Sequence, residues 1–351
     1  MQKSSENKVI TIYDIAKEAG VSAATVSRVL TNNANVRKEK KDKVQNLIDK
    51  YNFKPNAMAR GLSDTKRRVI GIVAADVRNP YYAEVFVACE NAAREAGYSV
   101  LLCNSQGITQ WESQQLAMLQ EQRVDAVIQL GGRADDLVSD QEYVEKVNQM
   151  IANIPLVVTG RLDDTQCYQV QIDAEKAAEL LLEHLLSLGH RRIALVGGRQ
   201  SVASTYVKHR KYMELLQKYQ IEYRQEYVVD GDYDYETGYV GMNRLAGLSN
   251  RPTAVVAIND SAAAGVMRSA VDHGFGIPQD ISVVSYDNTS LTELLTPKLT
   301  SVNYDYEALG RRLVETAIAA VKKDNIPLCQ RITPTLIVRE SSAKVPEAKE
   351  R

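Results

Sequence analysis

From residue 69 onward, short apolar runs alternate with helical patterns, and this alternation narrows the possible folds more than any other feature of the chain. RVIGIVAADV (68–77), YSVLLCNS (98–105), VDAVIQLGG (124–132), IPLVVTGR (154–161), RRIALVGG (191–198), TAVVAIND (253–260) and ISVVSYDN (281–288) read as strands. Between them, residues 81–97, 110–122, 174–189 and 261–274 carry the periodicity of amphipathic helices. A strand that is apolar at nearly every position is buried on both faces, as in a parallel sheet with helices on either side. There are more β-α units than one compact sheet accommodates, so the reading is an α/β body of two similar, doubly wound parallel-sheet subdomains. Ligands of such sheets bind beyond the carboxyl ends of the strands. Those ends are polar here, at residues 76–79, 104–106, 131–133, 160–163, 259–260 and 286–288. A cleft lined this way suits a polyhydroxylated small molecule better than an apolar one.

The first 62 residues follow another pattern. TIYDIAKEAG places Ile12, Ile15, Ala16 and Ala19 on one helical face and ends at Gly20. Ser22 is a suitable N-cap for a helix over residues 23–30, whose inner stripe is Val26, Val29 and Leu30. A third helix is expected at about 38–51, with Val44, Leu47 and Ile48 inward. Two short helices around a Gly-containing turn, propped by a third, make a helix-turn-helix unit. The outer face of its second helix is small, with Ala23, Ala24, Ser27 and Arg28. Low bulk permits close approach to a groove, and an arginine there can read guanine. Charge agrees: residues 1–68 hold 15 Lys and Arg against 7 Asp and Glu, and the remainder holds 28 against 37. A basic piece joined to an acidic body implies a polyanion partner for the first piece only.

Other classes find little support. No GxGxxG, P-loop or nucleophile elbow is present, so the expectation is a binding protein and not an enzyme. The four cysteines (Cys89, Cys103, Cys167, Cys329) and four histidines are scattered, so no cofactor, disulfide or metal site is expected. His190 is read as a packing or capping residue. No run of about 18 apolar residues exists, which argues against a membrane span. The polar, charged MQKSSENKVITIYDIAKEAG does not read as a signal peptide, and the cytoplasm is the expected location.

TIYDIAKEAGVSAATVSRVL followed by NVRKEKKDKVQNLIDKYNFKPNAMARGL resembles the DNA-binding headpiece of the lactose-repressor family. The body carries the family's motifs in order: VRNPYYAEV, LGHRRIALVGG, RPTAVVAIND, IPQDISVVSYDN and LTPKLTSV. Together with VVDGDYDYETG, these resemble its carbohydrate-responsive, catabolite-control members. The resemblance implies an N-terminal helix-turn-helix headpiece with a hinge helix and a periplasmic-binding-protein-like body. It gives residues 1–62 to the headpiece with the hinge at about 55–62, 63–68 to a linker, 69–343 to the body and 344–351 to a charged tail. It implies that Ala23 and Ala24 lie at base-reading positions with Ser27, Arg28 and Thr31 near them. Thr11, Tyr13, Ser22, Thr25 and Asn35 match backbone-contacting positions. Asn56 and Ala59 fall in the hinge, and Leu62 matches a side chain that wedges into the minor groove. The implied partners are a pseudo-palindromic double-stranded operator, a second copy of the chain in a homodimer, and a small sugar or sugar derivative.

For that effector, the resemblance points to Asp287, Asn259 and the aromatic Tyr233, with Asn79, Tyr81 and Arg161 at the mouth. Two departures stand out. Gly160-Arg161 occupies a place where the family often has Asp-Arg, and Lys208 takes the register of an arginine that Arg210 is also placed to replace. Arg311 and Arg312 are weighed as a face for a protein co-regulator, against the plainer reading of a solvated helix surface.

Overall fold

The computed structural model describes residues 10–30, 36–53 and 67–345. Thr31, Asn35, Asn56, Ala59 and Leu62, with the hinge expected at 55–62, lie outside the described residues. The chain divides into two compact units, residues 1–67 and 68–351.

In the first unit, α1 (Ile12–Ala19), α2 (Ala23–Leu30) and α3 (Lys38–Lys50) enclose a core of Ile15, Ala16, Ala19, Val26, Val29 and Val44. Thr11 starts α1 through a reciprocal cap: the Asp14 amide donates to Thr11 Oγ1 at 3.3 Å, and the Thr11 amide donates to Asp14 Oδ2 at 2.9 Å. Gly20 ends the helix at φ 67°, which only glycine adopts without steric cost. Ser22 Oγ accepts from the Thr25 amide at 3.2 Å and so caps α2. The Tyr51 hydroxyl and the Lys50 ammonium both donate to Glu18, tying the end of α3 to α1.

The second unit holds two six-stranded sheets. The first contains β1 (Val69–Ala74), β2 (Ser99–Asn104), β3 (Ala126–Leu130), β4 (Leu156–Val158), β5 (Tyr168–Ile172) and β11 (Cys329–Ile332). Its order is β11-β5-β4-β3-β1-β2, parallel throughout. One face is covered by α4 (Pro80–Glu95) and α12 (Tyr306–Lys322), the other by α5 (Thr109–Glu121) and α6 (Gln141–Ile151). Strand β1 shows why its sequence is continuously apolar: Ile70 and Ile72 enter one core while Val73 enters the other.

The second sheet contains β6 (Ile193–Val196), β7 (Val228–Val229), β8 (Ala254–Ala257), β9 (Ser282–Asp287), β10 (Thr300–Asn303) and β12 (Thr335–Ile337), in the order β12-β10-β9-β8-β6-β7. Helices α7 (Ala174–Ser187) and α8 (Ala203–Lys218) cover one face, and α9 (Tyr235–Ala246) and α10 (Asp260–Asp272) the other, with the single turn α11 (Leu291–Leu294) following β9. Strand β12 is antiparallel to β10, an exception to the all-parallel expectation. The chain crosses between subdomains three times: after β5, between β10 and α12, and between β11 and β12. Past β12 it stays attached. Ser341 Oγ donates to the Val283 carbonyl at 2.6 Å, and the Val345 amide donates to Leu188 at 3.0 Å. His190 packs in this region, its ring nitrogens 3.0 Å from Thr253 Oγ1 and the Ala343 carbonyl. Cys89, Cys103 and Cys167 are buried thiols, and Cys329 is exposed.

Candidate functional site

Two surfaces carry unusual chemistry, one in each unit. In the first, α2 turns Val26 and Val29 inward and leaves Ser22, Ala24 and Arg28 exposed. Ala23 packs partly against the core, so only half of the expected alanine pair is fully presented. Thr25 and Ser27 are half-buried, and Tyr13 is 73% exposed on α1. A large aromatic, a hydroxyl cap and an arginine facing solvent around a low-bulk helix end form a surface that polyanionic backbone and base edges can meet. Thr11 and Ser22 already spend an acceptor each on helix caps.

In the second unit the site lies between the subdomains, where β9 ends at Asp287. This residue is buried with φ 102°, a strained backbone that the surroundings over-determine. Tyr306 Oη donates to the Asp287 carbonyl at 2.7 Å, and Ser301 Oγ accepts from the Asn288 amide at 3.0 Å. Just behind it, the Asp260 carboxylate accepts from Ser285 Oγ (2.5 Å), Ser301 Oγ (2.9 Å), and both the amide (2.6 Å) and hydroxyl (2.8 Å) of Thr289. Four donors saturate Asp260, so it organises the strand ends. Asp287, by contrast, meets no donor at hydrogen-bond distance among the described residues. Burial, followed by the Asp260 carboxylate, pushes its carboxyl up to about 8, while the Lys208 ammonium pulls the other way.

Lys208 comes from α8, and its Nζ lies 3.9 Å from the centre of the Tyr286 ring. Burial pushes its pKa down, against the pull of Asp287 and Asp135. Asp135 arrives from the first subdomain, where Gly132–Asp135 forms a 3-10 turn. Burial pushes it up to about 6, opposed by the hydrogen bond from Ser204 and by Lys208. Tyrosines fill the space around these charges. Tyr81 packs against the cores of both subdomains, with ring centroids 5.0 Å from Tyr82, 6.1 Å from Tyr304 and 6.0 Å from Tyr306. Burial raises the hydroxyls of Tyr81 and Tyr82, and the Asp135 and Asp287 carboxylates raise them further.

Tyr233 and Asn259 adjoin this cluster. Tyr233 Oη is 2.8 Å from Thr205 Oγ1, and the Arg199 guanidinium lies 5.7 Å from its ring centre. Asn259 caps α10, accepting from the Ala262 amide at 2.8 Å, and its Nδ2 donates to the Tyr233 carbonyl at 2.8 Å. Both ends of that amide are engaged, so Asn259 positions Tyr233.

The structure thus brings Tyr81, Lys208, Tyr233, Asn259 and Asp287 together and turns the side chains of two expected residues to solvent. Arg210 lies on the exposed face of α8, paired with Glu175 and Glu214, because residues two apart on a helix point in different directions. Arg161 is exposed and paired with Asp163 at 2.6 Å. Asn79 caps α4, accepting from the Tyr81 amide at 3.1 Å. Sequence reasoning missed Tyr82, Asp135, Tyr304 and Tyr306; the doubled tyrosine of NPYYAEV and the YDY of VNYDYEALG were the available signals for the tyrosines. Arg311 and Arg312 are engaged within the chain, with Glu95 and Glu307 and with Gln330.

Comparison with known proteins adds a second line of observation. The pattern of the bacterial regulatory proteins of the lacI family matches residues 11–56, and that of the periplasmic binding protein-like domain matches residues 182–342. Catabolite control protein A of Priestia megaterium is 34% identical over 310 residues, 87% of this chain and 91% of that protein. Catabolite control protein A of Staphylococcus aureus strain Mu50 is 34% identical over 329 residues, 92% and 97% of the two chains. Among solved structures, the lac repressor dimer bound to operator and the anti-inducer ONPF matches with a TM-score of 0.86 at 26% identity, over 96% of this chain and 100% of that one. The transcriptional regulator CelR–cellobiose complex matches with a TM-score of 0.69 at 26% identity, over 95% and 100%. Among the described residues, no helix is long and apolar enough to cross a membrane.

Proposed function

The chain belongs to the lacI family of bacterial regulatory proteins, DNA-binding transcriptional regulators and not enzymes, and from that membership we propose a repressor whose hold on a pseudo-palindromic operator is set by a small carbohydrate in the cleft around Asp287. The observation that carries the effector reading is the buried Asp287 carboxyl at the end of β9, next to the Tyr286 ring on which the Lys208 ammonium sits at 3.9 Å, with no hydrogen-bonding protein partner for that carboxyl among the described residues. A buried polar group in that condition costs free energy until a ligand satisfies it. Vicinal hydroxyls do so, since each can both donate to and accept from a carboxyl group and accept from an ammonium. The tyrosine rings around the pair supply flat apolar faces for the C–H surface of a sugar.

A homodimer is the assembly that reads a two-fold symmetric operator. Two apolar areas on the body's surface support it: Leu101, Leu102 and Trp111 around edge strand β2, and Tyr235, Val240 and Val271 on α9 and α10. The effector acts by binding one arrangement of the subdomains more tightly than another, the differential affinity that allostery requires.

The test is a thermal-shift screen of the purified chain against neutral mono- and disaccharides, cellobiose among them, and sugar phosphates. A saccharide that stabilises the wild type should leave Asp287→Ala unaffected, while Asp287→Ala still binds an operator selected from a random DNA pool. Calorimetry showing equal saccharide affinity for both chains would remove Asp287 from the site.

A further inference from the structure

The first subdomain meets the second, beside the cleft, through the segment that follows β3. Gly132–Asp135 makes its 3-10 turn, and residues 136–139 then run out toward α6. A backbone bridge and a side-chain hydrogen bond join this segment to the other subdomain. Asp136 pairs antiparallel with Val202, the Leu137 amide donates to the Ser201 carbonyl at 2.7 Å, and Ser204 Oγ donates to Asp135 Oδ2 at 3.1 Å. All three partners lie at or just before the first turn of α8. Ser204 and Lys208 are one turn apart on that helix and share a face. Thr205, between them, holds the Tyr233 hydroxyl.

The segment is firmly seated on its own side. A Cβ on Gly132 would stand 1.9 Å from Glu112 Oε2, so the buried carboxylate presses directly on the turn. That carboxylate accepts from the Arg133 amide, and the Arg133 guanidinium reaches Asp136 at 3.0 Å and Asp140 at 3.7 Å. A Cβ on Gly160 would stand 1.9 Å from the Ala134 carbonyl oxygen. The segment therefore occupies the room that any side chain at position 160 would need. The acid that sequence resemblance leads one to expect at 160 is absent, and a carboxylate enters the cleft from Asp135 instead.

We propose that Asp135 is a positioning residue of the effector site, and that residues 132–138 and 201–204 form a clasp across the cleft whose closing governs access to Lys208. The proposal rests on the reading of the Asp287–Lys208 cleft as the effector site only for its consequence; the clasp itself is tested without any effector. A backbone bridge and a side-chain hydrogen bond at the edge of an interface make and break without unfolding either subdomain. Because they sit at the start of the helix that carries Lys208, opening them moves the lysine relative to Asp135.

The experiment uses the full chain carrying Asp136→Cys and Val202→Cys. Directly opposed residues of an antiparallel pair lie within reach of a disulfide. Mild oxidation should join them, and the joined protein should acetylate at Lys208 about tenfold more slowly than the reduced form, with the exposed Lys218 as internal control. Separately, Asp135→Asn and Ser204→Ala should each speed hydrogen exchange at the Leu137 amide about tenfold, and the double variant should go no further than either, as expected for one shared contact. A general structural role would instead lower the melting temperature and speed exchange throughout α6. Failure of the cysteines to join in a chain that melts like the wild type overturns the clasp. So does a joined protein whose Lys208 reacts at the reduced rate. Absence of any saccharide effect on the wild type, with cross-linking and labelling as expected, would overturn the effector reading alone.

Discussion

The headpiece and the body treat their polar side chains in opposite ways. Around α2, Ser22 and Arg28 stand in solvent over a core of six buried residues, none of them charged. In the body, Asp260, Asp287 and Asn259 are all buried within one strand-end cluster, and burial shifts the proton affinities of both carboxyls. The difference reflects what each surface meets. A long polyanion comes to an exposed face and is felt through screened charges, so binding is sensitive to salt. A small ligand enters a desolvated cleft where one hydrogen bond weighs more and where proton uptake is linked to structure.

The comparison breaks most sharply if the two units are not independent. Val26→Asp places a charge in the headpiece core at a fully buried position, costing roughly 4 kcal/mol or more in a unit with few reserves. Operator binding should vanish while calorimetry shows the body's transition unmoved. A shifted body transition would mean that the units share their stability.

The body's transition should depend on pH through Asp287. Its folded pKa is raised from the ordinary 3.8 to about 8, so the folded state prefers the protonated acid. That stabilisation is complete below the ordinary value and is lost as pH rises through about 8. Melting temperature should therefore fall less steeply across that range in Asp287→Asn than in the wild type. Lys208, pushed down by burial, contributes a slope of the opposite sign, because its charged form is disfavoured in the folded state. The difference between the two chains, more than either slope, isolates Asp287. Identical slopes would show the carboxyl to be solvated.

On the headpiece side, Arg28→Ala should cost about 1–3 kcal/mol of operator affinity and relax preference at one base pair per half-site. Fluorescence anisotropy on operator and random duplexes separates this from a phosphate contact, which would weaken both equally. The smallest effect belongs to Thr11→Ala. Losing its reciprocal cap with Asp14 should lower headpiece stability by about 1 kcal/mol and leave the body's melting and its pH dependence unchanged.

Much of this contrast was legible in the residues. The three headpiece helices have the bounds their periodicity implies, because each packs against neighbours within about 40 residues and the inward stripe repeats locally. The long apolar strands were legible for the same reason. Short ones such as Val228–Val229 and Thr335–Ile337 were not, since two or three residues carry no period. Tyr168–Ile172 escaped because its glutamines look like a loop. At the cleft, Lys208 and Asp287 could be named from motif register, but Arg210 and Lys208 could not be told apart until α8 had a direction.

By itself the sequence determined a small-faced helix on a basic unit, an acidic α/β body, and a set of polar strand ends awaiting a ligand. Each of those is written in neighbouring residues, through helical period, strand period and local charge. Only the tertiary structure decided which strand ends face one another. The three crossings between subdomains bring Asp135 to Ser204, and Tyr81 to Tyr304, across separations of 69 and 223 residues. No local pattern encodes such pairings, because they follow from how two sheets share one chain. It also decided that position 160 has no room for a side chain, since the Ala134 carbonyl fills the space.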